Sequence, residues 1–324
     1  MQLNIGRNIR GLVATLLVLA SGTLQAAYPE RPIRLVVPSG AGGVTDSLAR
    51  ALAQIMSTNM GQQVYVDNRA GASGIIGSQA VATSAPDGYT LLMVFPSHVV
   101  NPSLFKSIPY DTVKSFAPVT LVSNVSMVFV VNKDLPVNNM KEFISFAKAN
   151  PGKLNFATVG AGSLGHLGAE TFNTMANTKI VHVPYKGSPQ ALSALLAGEV
   201  QMYVVASASS VVPHIRSNKL KALGVSVDTR LSVLPQVPTV AETLQGFEVG
   251  GWNGILAPAG TPDAVINRLQ QEVAKAVRSP QLKKILENEG AIGVANTPAE
   301  FEKVIQRDID RWAKLLMEMG VQKE

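Results

Sequence analysis

Short runs of β-branched and other apolar residues alternate along this chain with longer amphipathic stretches. Ile33–Val37 (IRLVV) has the length and composition of a buried strand, and Val64–Asn68 and Thr90–Val94 are predicted as the second and third strands. The stretch after the first run places Leu48 and Leu52 on one helical face. Strand–helix–strand alternation is typical of parallel sheets with helices on both faces, so we predict an α/β fold.

The same alternation begins again in the second half of the chain. It follows Phe116–Asn132, an apolar stretch that we interpret as an extended crossing segment. Further strands are predicted at Leu154–Val159, Ile180–Pro184, Met202–Ala206 and Leu220–Ser226. A return path is predicted at Pro235–Pro238 and Gly250–Gly254, and helices at Pro262–Arg278, Gln281–Asn288 and Pro298–Met319. Because one domain usually has ~100–200 residues, the pattern predicts two α/β lobes around a cleft.

The first residues have the three parts of a secretory signal peptide. Met1–Arg10 carries two arginines and no acid, Gly11–Ala20 is uninterruptedly apolar, and Ser21–Ala27 is small and polar. The apolar run of ~10 residues is too short to cross a bilayer, which needs ~20. We predict cleavage after Ala26 and export to the periplasm of a double-membrane bacterium. A buried N-terminal helix is the alternative.

Composition excludes several classes of function. The chain has no cysteine, which excludes disulfides, a thiolate metal site, a cysteine nucleophile and a lipid anchor on an N-terminal cysteine. Four histidines in all make a histidine-rich metal centre a poor interpretation, and no cofactor is expected. The net charge is +6, or about +4 without the signal peptide, and the basic residues are scattered. A nucleic acid partner is therefore disfavoured.

The segment between the first predicted strand and its helix is Pro38–Asp46, PSGAGGVTD. Glycines let backbone N–H groups point inward, and the start of a helix favours an anion. No Gly-Lys-Ser/Thr follows, so it is not a Walker loop. A tight turn with no ligand is the alternative. The candidate ligand-binding residues here are Ser39, Ala41, Gly42, Gly43, Thr45 and Asp46.

The matching segment of the second half is Thr158–His166, TVGAGSLGH, which contains a literal G-x-G-x-x-G. A dinucleotide site would need an acid at the end of the next strand, and that strand ends in His182–Lys186 without one. The candidates in this segment are Thr158, Gly162, Ser163 and His166.

The same segment also resembles a nucleophile elbow, with Ser163 as the nucleophile. A hydrolase would need a histidine and an acid that reach Ser163, and His182, His214 and Asp228 follow it in an order unlike that fold. A secreted serine hydrolase that uses Ser163 is nevertheless kept as an alternative. His166 lies on the same predicted helix and is expected to face the cleft as a polar contact.

Other candidates lie near the ends of neighbouring strands. Tyr185 could wall the cleft and Lys186 could meet an anion, although a surface lysine in a turn is the more common case. Ser97 is a plausible hydroxyl donor beside His98, which we expect to close a strand at the same edge. For Trp252 on the return path, packing is favoured over a position in the cleft wall.

Taken together, these segments resemble the substrate-binding proteins of tripartite tricarboxylate transporters, the Bug family. The resemblance spans essentially the whole chain after the signal peptide. It is carried in order by Tyr28–Pro38, Ala41–Asp46, Val66–Leu92, Gly160–Glu170, His182–Leu192, Leu234–Glu242 and Gly254–Pro262.

The resemblance implies a periplasmic binding protein fold (type II-like), with two Rossmann-like lobes, a ligand cleft and two crossover strands. Lobe 1 would comprise residues 27–127 and 250–324, and lobe 2 residues 128–249. One ligand carboxylate would be gripped by the loops Ser39–Asp46 and Thr158–Ser163, and Asp46 would order its loop or meet a ligand amine. The partners implied are a small organic acid or acidic amino acid and the membrane permease subunits. The protein is expected to be a monomer without catalytic activity, and a receptor that feeds a sensor system is the further alternative.

Two departures from the family pattern affect the ligand. The family commonly has an aromatic residue in PFPAGG, whereas this chain has Ser39 in the sequence PSGAGG. The family's frequent acid after Gly-x-Val is Gln201 here. The identity of the ligand is therefore not implied by the resemblance.

Overall fold

The computed structural model describes residues 28–42, 44–160, 163–318, 321 and 323. Residues 31–324 form one unit, and of the other unit, residues 1–30, only residues 28–30 are described and they form no helix or strand. The predicted signal peptide and the candidates Gly43 and Gly162 lie outside the described residues.

The first sheet has six strands in the order β11–β4–β10–β3–β1–β2. Strand β1 pairs in parallel with β2 and β3, while β10 runs antiparallel to β3 and β4, and β11 runs antiparallel to β4. The strands are β1 (Ile33–Val37), β2 (Val64–Asn68), β3 (Thr90–Val94), β4 (Phe116–Val125), β10 (Gly251–Pro258) and β11 (Ala291–Gly293). The bounds of β1, β2 and β3 are those predicted from the sequence.

The second sheet has five strands in the order β7–β6–β8–β5–β9. Strand β6 pairs in parallel with β7 and β8, and β5 runs antiparallel to β8 and β9. The strands are β5 (Val128–Asn132), β6 (Asn155–Thr158), β7 (Val181–Pro184), β8 (Met202–Val205) and β9 (Leu220–Val225). The prediction of parallel sheets is thus right for β1–β3 and β6–β8 only. It is wrong for the strands next to the crossings. There the chain passes from one sheet to the other without an intervening helix that would return it to a parallel course.

Ten α-helices are present within the described part of the chain. Their bounds are α1 (Val44–Met60), α2 (Ile75–Ala82), α3 (Ser97–Leu104), α4 (Met140–Ala149), α5 (Leu164–Ala176), α6 (Ser188–Ala197), α7 (Ala208–Arg216), α8 (Asp263–Arg278), α9 (Pro280–Glu289) and α10 (Pro298–Glu318). The three predicted C-terminal helices are confirmed to within one residue at each end. None of the described helices is long and apolar enough to cross a membrane.

The chain crosses between the sheets twice, and the two crossings lie side by side. Only Ser126 and Met127 separate β4 from β5, and residues 226–250 lead from β9 back to β10. The Met127 N–H donates to Ser226 Oγ at 2.8 Å, and the Ser226 N–H donates to the Met127 carbonyl at 2.9 Å. Both residues are fully buried. The reciprocal pair therefore ties the outgoing crossing to the returning one.

The prediction that His98 closes a strand at the cleft is wrong. Strand β3 ends at Val94, Pro96 precedes α3, and His98 lies in the first turn of this helix, inside the core of the first sheet. Its ring stacks on Tyr110 and meets Phe116 edge-on, with centroids 6.0 and 5.0 Å away.

Helix α10 packs closely on the first sheet because Gly254 of β10 leaves room for one of its side chains. The Phe301 ring packs directly over Gly254 of β10, where a Cβ atom would overlap it. The same ring meets Trp252 edge-on at 5.3 Å, and Trp252 Nε1 donates to Asp308 Oδ2 at 2.7 Å. Aromatic packing and one buried hydrogen bond therefore fix α10 to β10.

We expect Gly254→Ala to destabilise the protein by about 1–3 kcal/mol, because the added methyl group forces Phe301 away from β10. Urea unfolding checks this. Gly40→Ala is the control, because a Cβ at Gly40 meets no atom within 4 Å. Equal midpoints for both variants would contradict the packing.

We also expect stability to fall in mild acid because of His98. Burial lowers the pKa of this imidazole from 6.5 to about 4. The hydrogen bond from Nε2 to the Thr112 carbonyl raises the pKa, but by less than burial lowers it. Above pH 6.5 the ring is neutral in both states. Between pH 6.5 and 4 only the unfolded chain takes up the proton, so His98 lowers the free energy of unfolding by on the order of 3 kcal/mol. An NMR titration midpoint for His98 near 6.5 would refute this.

Candidate functional site

A cavity of about 450 Å³ lies between the two sheets and takes its walls from both. The first sheet and its loops contribute Val44, Thr45, Phe95, Pro96, Ser97, Val125, Gly251, Trp252 and Asn253. The second sheet and its loops contribute Val159, Ser163, Leu164, Gly165, Ser188, Tyr203, Val204, Val205, Ala206 and Ser207.

Five helices begin at this cavity. The first or the preceding residues of α1, α3, α5, α6 and α7 line it, and these helices follow the parallel strands β1, β3, β6, β7 and β8. In open α/β sheets, ligands bind outside the carboxyl ends of the strands. The first N–H groups of a helix have no partner within it and carry a partial positive charge. The architecture therefore turns several helix starts towards one space.

The cavity wall itself carries no strong charge. Among the described residues that line it there is no Lys, Arg, His, Asp or Glu. Most of the wall is aliphatic or aromatic, with hydroxyl groups at Thr45, Ser97, Ser163, Ser188, Tyr203 and Ser207. An anion in this space would therefore be met by backbone dipoles and hydroxyls rather than by a cation.

The loop between β1 and α1 is organised by Asp46. Its buried carboxylate accepts hydrogen bonds from the Gly42 N–H (2.8 Å), Asn68 Nδ2 (2.9 Å) and Arg50 Nε (3.0 Å). Burial alone raises the pKa of this carboxyl, but these hydrogen bonds outweigh it and hold the pKa below its ordinary value. Asn68 Nδ2 also donates to the Ser39 carbonyl. Of the two roles considered for Asp46, the contacts correspond to ordering of the loop.

In the loop between β6 and α5, Ser163 caps the helix. Its hydroxyl donates to the Gly160 carbonyl at 2.7 Å and accepts from the His166 N–H at 3.3 Å. Gly160 has a φ of 124°, which favours glycine. Gly165 brings α5 against β8, where a Cβ atom would overlap the Val204 carbonyl. The serine hydroxyl is thus engaged in the helix cap.

The His166 side chain is not part of the cavity wall. It stacks on His182 with ring centroids 4.0 Å apart, and His182 stacks in turn on Phe156. Burial and the neighbouring His182 lower the pKa of His166 to about 4. His182 Nε2 lies 2.6 Å from Thr158 Oγ1. The imidazole therefore packs over the second sheet instead of facing the cleft.

The structure places three of the predicted candidates, Thr45, Ser97 and Ser163, in the cavity wall. The other described candidates lie outside it: Ser39, Ala41, Gly42, Asp46, Thr158, His166, Tyr185 and Lys186. Thr158 is fully buried beneath the second loop, and Lys186 is exposed.

Sequence reasoning missed several residues of the wall. Asn253 Oδ1 accepts from Thr45 Oγ1 at 3.3 Å and so joins β10 to the start of α1. Tyr203 and Ser188 share a hydrogen bond of 2.7 Å between their hydroxyls. Trp252 both packs against α10 and lines the cavity. Hydroxyls at helix starts, as at Ser188 and Ser207, were the available signal.

Gln201 lies away from the cavity. It comes just before β8, at the opposite end of the strand from the cavity, where its Oε1 accepts from the Asn155 N–H at 2.9 Å. This side chain supports the start of β6, so its departure from the family pattern does not alter the wall.

The comparison with family models matches residues 48–321 to the tripartite tricarboxylate transporter family receptor. A relative from Pseudomonas sp. strain P51, described as the UPF0065 protein in the tcbD-tcbE intergenic region, is 39% identical over 97% of this chain and 95% of its own. The BugT protein of Bordetella pertussis is 38% identical over 90% of both chains.

Solved structures of similar proteins have the same fold. The periplasmic binding protein BugD is 35% identical, with a TM-score of 0.77 over 92% of this chain and all of its own. A protein of R. palustris, Rpa4515 with adipate, is 32% identical, with a TM-score of 0.80 over 92% of this chain and 100% of its own. MatC of Rhodopseudomonas palustris with bound malate is 31% identical, with a TM-score of 0.75 over 89% of this chain and 100% of its own. The chain therefore belongs to the tripartite tricarboxylate transporter receptor family, the family of the Bug proteins.

Proposed function

We propose that this protein is a periplasmic solute-binding protein that captures a small carboxylate-bearing ligand between its lobes and delivers it to a tripartite tricarboxylate-type membrane transporter. The observation that carries the proposal is the uncharged cavity at which five helices begin. Adipate and malate in similar proteins support the ligand class.

Recognition would use the starts of α1 and α5. The first N–H groups of a helix have no acceptor in the preceding helical turn and would favour one carboxylate, and the hydroxyls of Thr45 and Ser163 border the same space. Hydrogen bonds to an ionised group are stronger than those between neutral groups, so they offset the loss of water around the carboxylate. Closure would turn about the crossings tied by Met127 and Ser226.

The signal peptide, the monomeric state and the lobe boundaries are proposed from the sequence. Residues 1–26 would be removed as a signal peptide, which leaves a monomer with no lipid anchor. Lobe 1 would comprise residues 27–127 and 250–324, and lobe 2 residues 128–249. The protein would act without catalysis, because the Ser163 hydroxyl serves as a helix cap. Presentation of the closed form to a sensor instead of a permease is the alternative, and the transporter complex reconstituted with the purified protein would separate the two.

We expect a matching carboxylate to raise the melting temperature, because a ligand that binds only the folded state stabilises it by about 2.7 kcal/mol at a concentration of about 100 Kd. A thermal-shift screen of mono-, di- and tricarboxylates measures this. Neutral amides of the same acids are the control. No shift across the panel would count against the proposal, and ester turnover lost in Ser163→Ala would favour the hydrolase instead.

We expect Val159→Glu to weaken carboxylate binding by at least about tenfold, because it adds a negative charge to the cavity wall. Val159 is 45% exposed, so the variant should fold. Val181→Glu is the matched control, since Val181 is 46% exposed on β7 and lies outside the wall. Calorimetric affinities for the best ligand of the screen decide the matter. Equal affinities in both variants would place the ligand elsewhere.

A further inference from the structure

The cavity wall is better suited to one carboxylate than to two. Besides lacking charged side chains, it presents Phe95, Val125, Leu164, Val205 and Trp252 to the interior. A carboxylate moved into such surroundings without compensating hydrogen bonds is strongly disfavoured. The number of carboxylates that the cavity accepts therefore depends on how many helix starts have donors to offer.

At two of the five helix starts some of the donors are already in use. At α6, Pro189 has no N–H, and the Ser188 hydroxyl is bonded to that of Tyr203. At α3, the His98 N–H donates to the Phe95 carbonyl and the Val99 N–H to the Pro96 carbonyl. These donors are used within the protein, whereas the Ser97 hydroxyl at the start of α3 remains in the cavity wall.

The start of α7 already holds a carboxylate of the chain itself. Glu289, the last residue of α9, accepts from Ser207 Oγ at 2.7 Å and from Ser209 Oγ at 3.0 Å. Helix α9 packs with the first sheet, whereas α7 follows β8 of the second, so this contact bridges the two. A negative charge at a helix N-terminus is in its favoured place.

The Glu289 carboxylate also lies close to the cavity. Ser207 lines the cavity and is the residue that Glu289 contacts. A ligand carboxylate bonded to Ser207 would lie within about 6 Å of Glu289, where two like charges repel. This side of the cavity is therefore unfavourable for a second anion.

We propose that the cleft selects a monocarboxylate with an apolar body, and that Glu289 excludes a second carboxylate from the side of the cavity at the start of α7. This inference rests on the proposed function, since it assumes that the starts of α1 and α5 bind one carboxylate. It separates the chain from the similar proteins with adipate and malate, which are dicarboxylates.

Three ligands of six carbons test the selectivity: hexanoate, adipate and hexanamide. Isothermal titration of the purified protein at pH 7 and fixed ionic strength should give hexanoate an affinity at least about tenfold above that of adipate, with hexanamide weaker still. Tighter binding of adipate would overturn the selectivity and leave the proposed function intact. No binding of any of the three would also overturn the selectivity, and hexanamide equal to hexanoate would contradict both proposals.

Substitutions on α9 and α7 test the role of Glu289. Glu289→Gln should narrow the ratio of hexanoate to adipate affinity by about fivefold or more, through tighter binding of adipate and with less effect at high salt. Glu287→Gln is the matched control, because Glu287 is exposed on the same helix and should leave the ratio unchanged.

Ser209→Ala separates charge from contact. It removes one hydroxyl that donates to Glu289 but retains the carboxylate and its bond to Ser207. The ratio should therefore stay near that of the parent protein. A ratio unchanged in Glu289→Gln, or narrowed equally by Ser209→Ala, would overturn the exclusion by charge.

Discussion

Reciprocal hydrogen bonds between Met127 and Ser226 hold the two crossings of the chain against each other. They join the two stretches of chain that pass between the sheets, at a point from which water is excluded. One crossing leads from β4 of the first sheet to β5 of the second, and the other leads from β9 of the second sheet back to β10 of the first. Both sheets are therefore anchored at this point. The carboxyl ends of their parallel strands consequently open onto a common cavity. The cavity is thus a product of how the chain crosses.

A cavity assembled from strand ends can attract an anion without a basic side chain. Each helix start contributes only a partial charge, but that charge is fixed in place by the backbone. A lysine or arginine would have to be desolvated together with its ligand, whereas the fixed N–H groups are already oriented. The side chains that support these loops, such as Asp46 and Ser163, use their polar atoms on the loops themselves. Charge recognition and the apolar wall can therefore coexist in the same small space.

The hydrophobic pattern predicted β1 and β3 to the residue because each is a short, nearly continuous apolar run bounded by polar or turn residues. It predicted β2 equally well, although this strand ends in Asp67 and Asn68. It did not predict that β5, β10 and β11 run antiparallel to their neighbours, since strand direction leaves no trace in such a pattern. For the site, glycine content and position after a strand identified both loops. Which side of each loop faces the cavity depends on tertiary partners. Asn68 and Arg50 bind the Asp46 carboxylate away from the cavity wall, and His166 stacks on His182 over the second sheet. At Ser207 the only sequence signal is a serine at a helix start, and such a serine is also an ordinary helix cap.

The position of Glu289 links the arrangement of the lobes to the chemistry of the cavity. Its carboxylate lies at the end of a helix of the first lobe, and the hydroxyls that bind it belong to the second. Any rotation of the lobes about the crossings that separates α7 from α9 would break these bonds and expose the start of α7. The helix start would then offer its donors to solvent or to a ligand anion, and it would withdraw them as the contact forms again. Under the proposed function, an intramolecular carboxylate in this place would compete with a ligand for the same donors, to an extent set by how far the cleft closes.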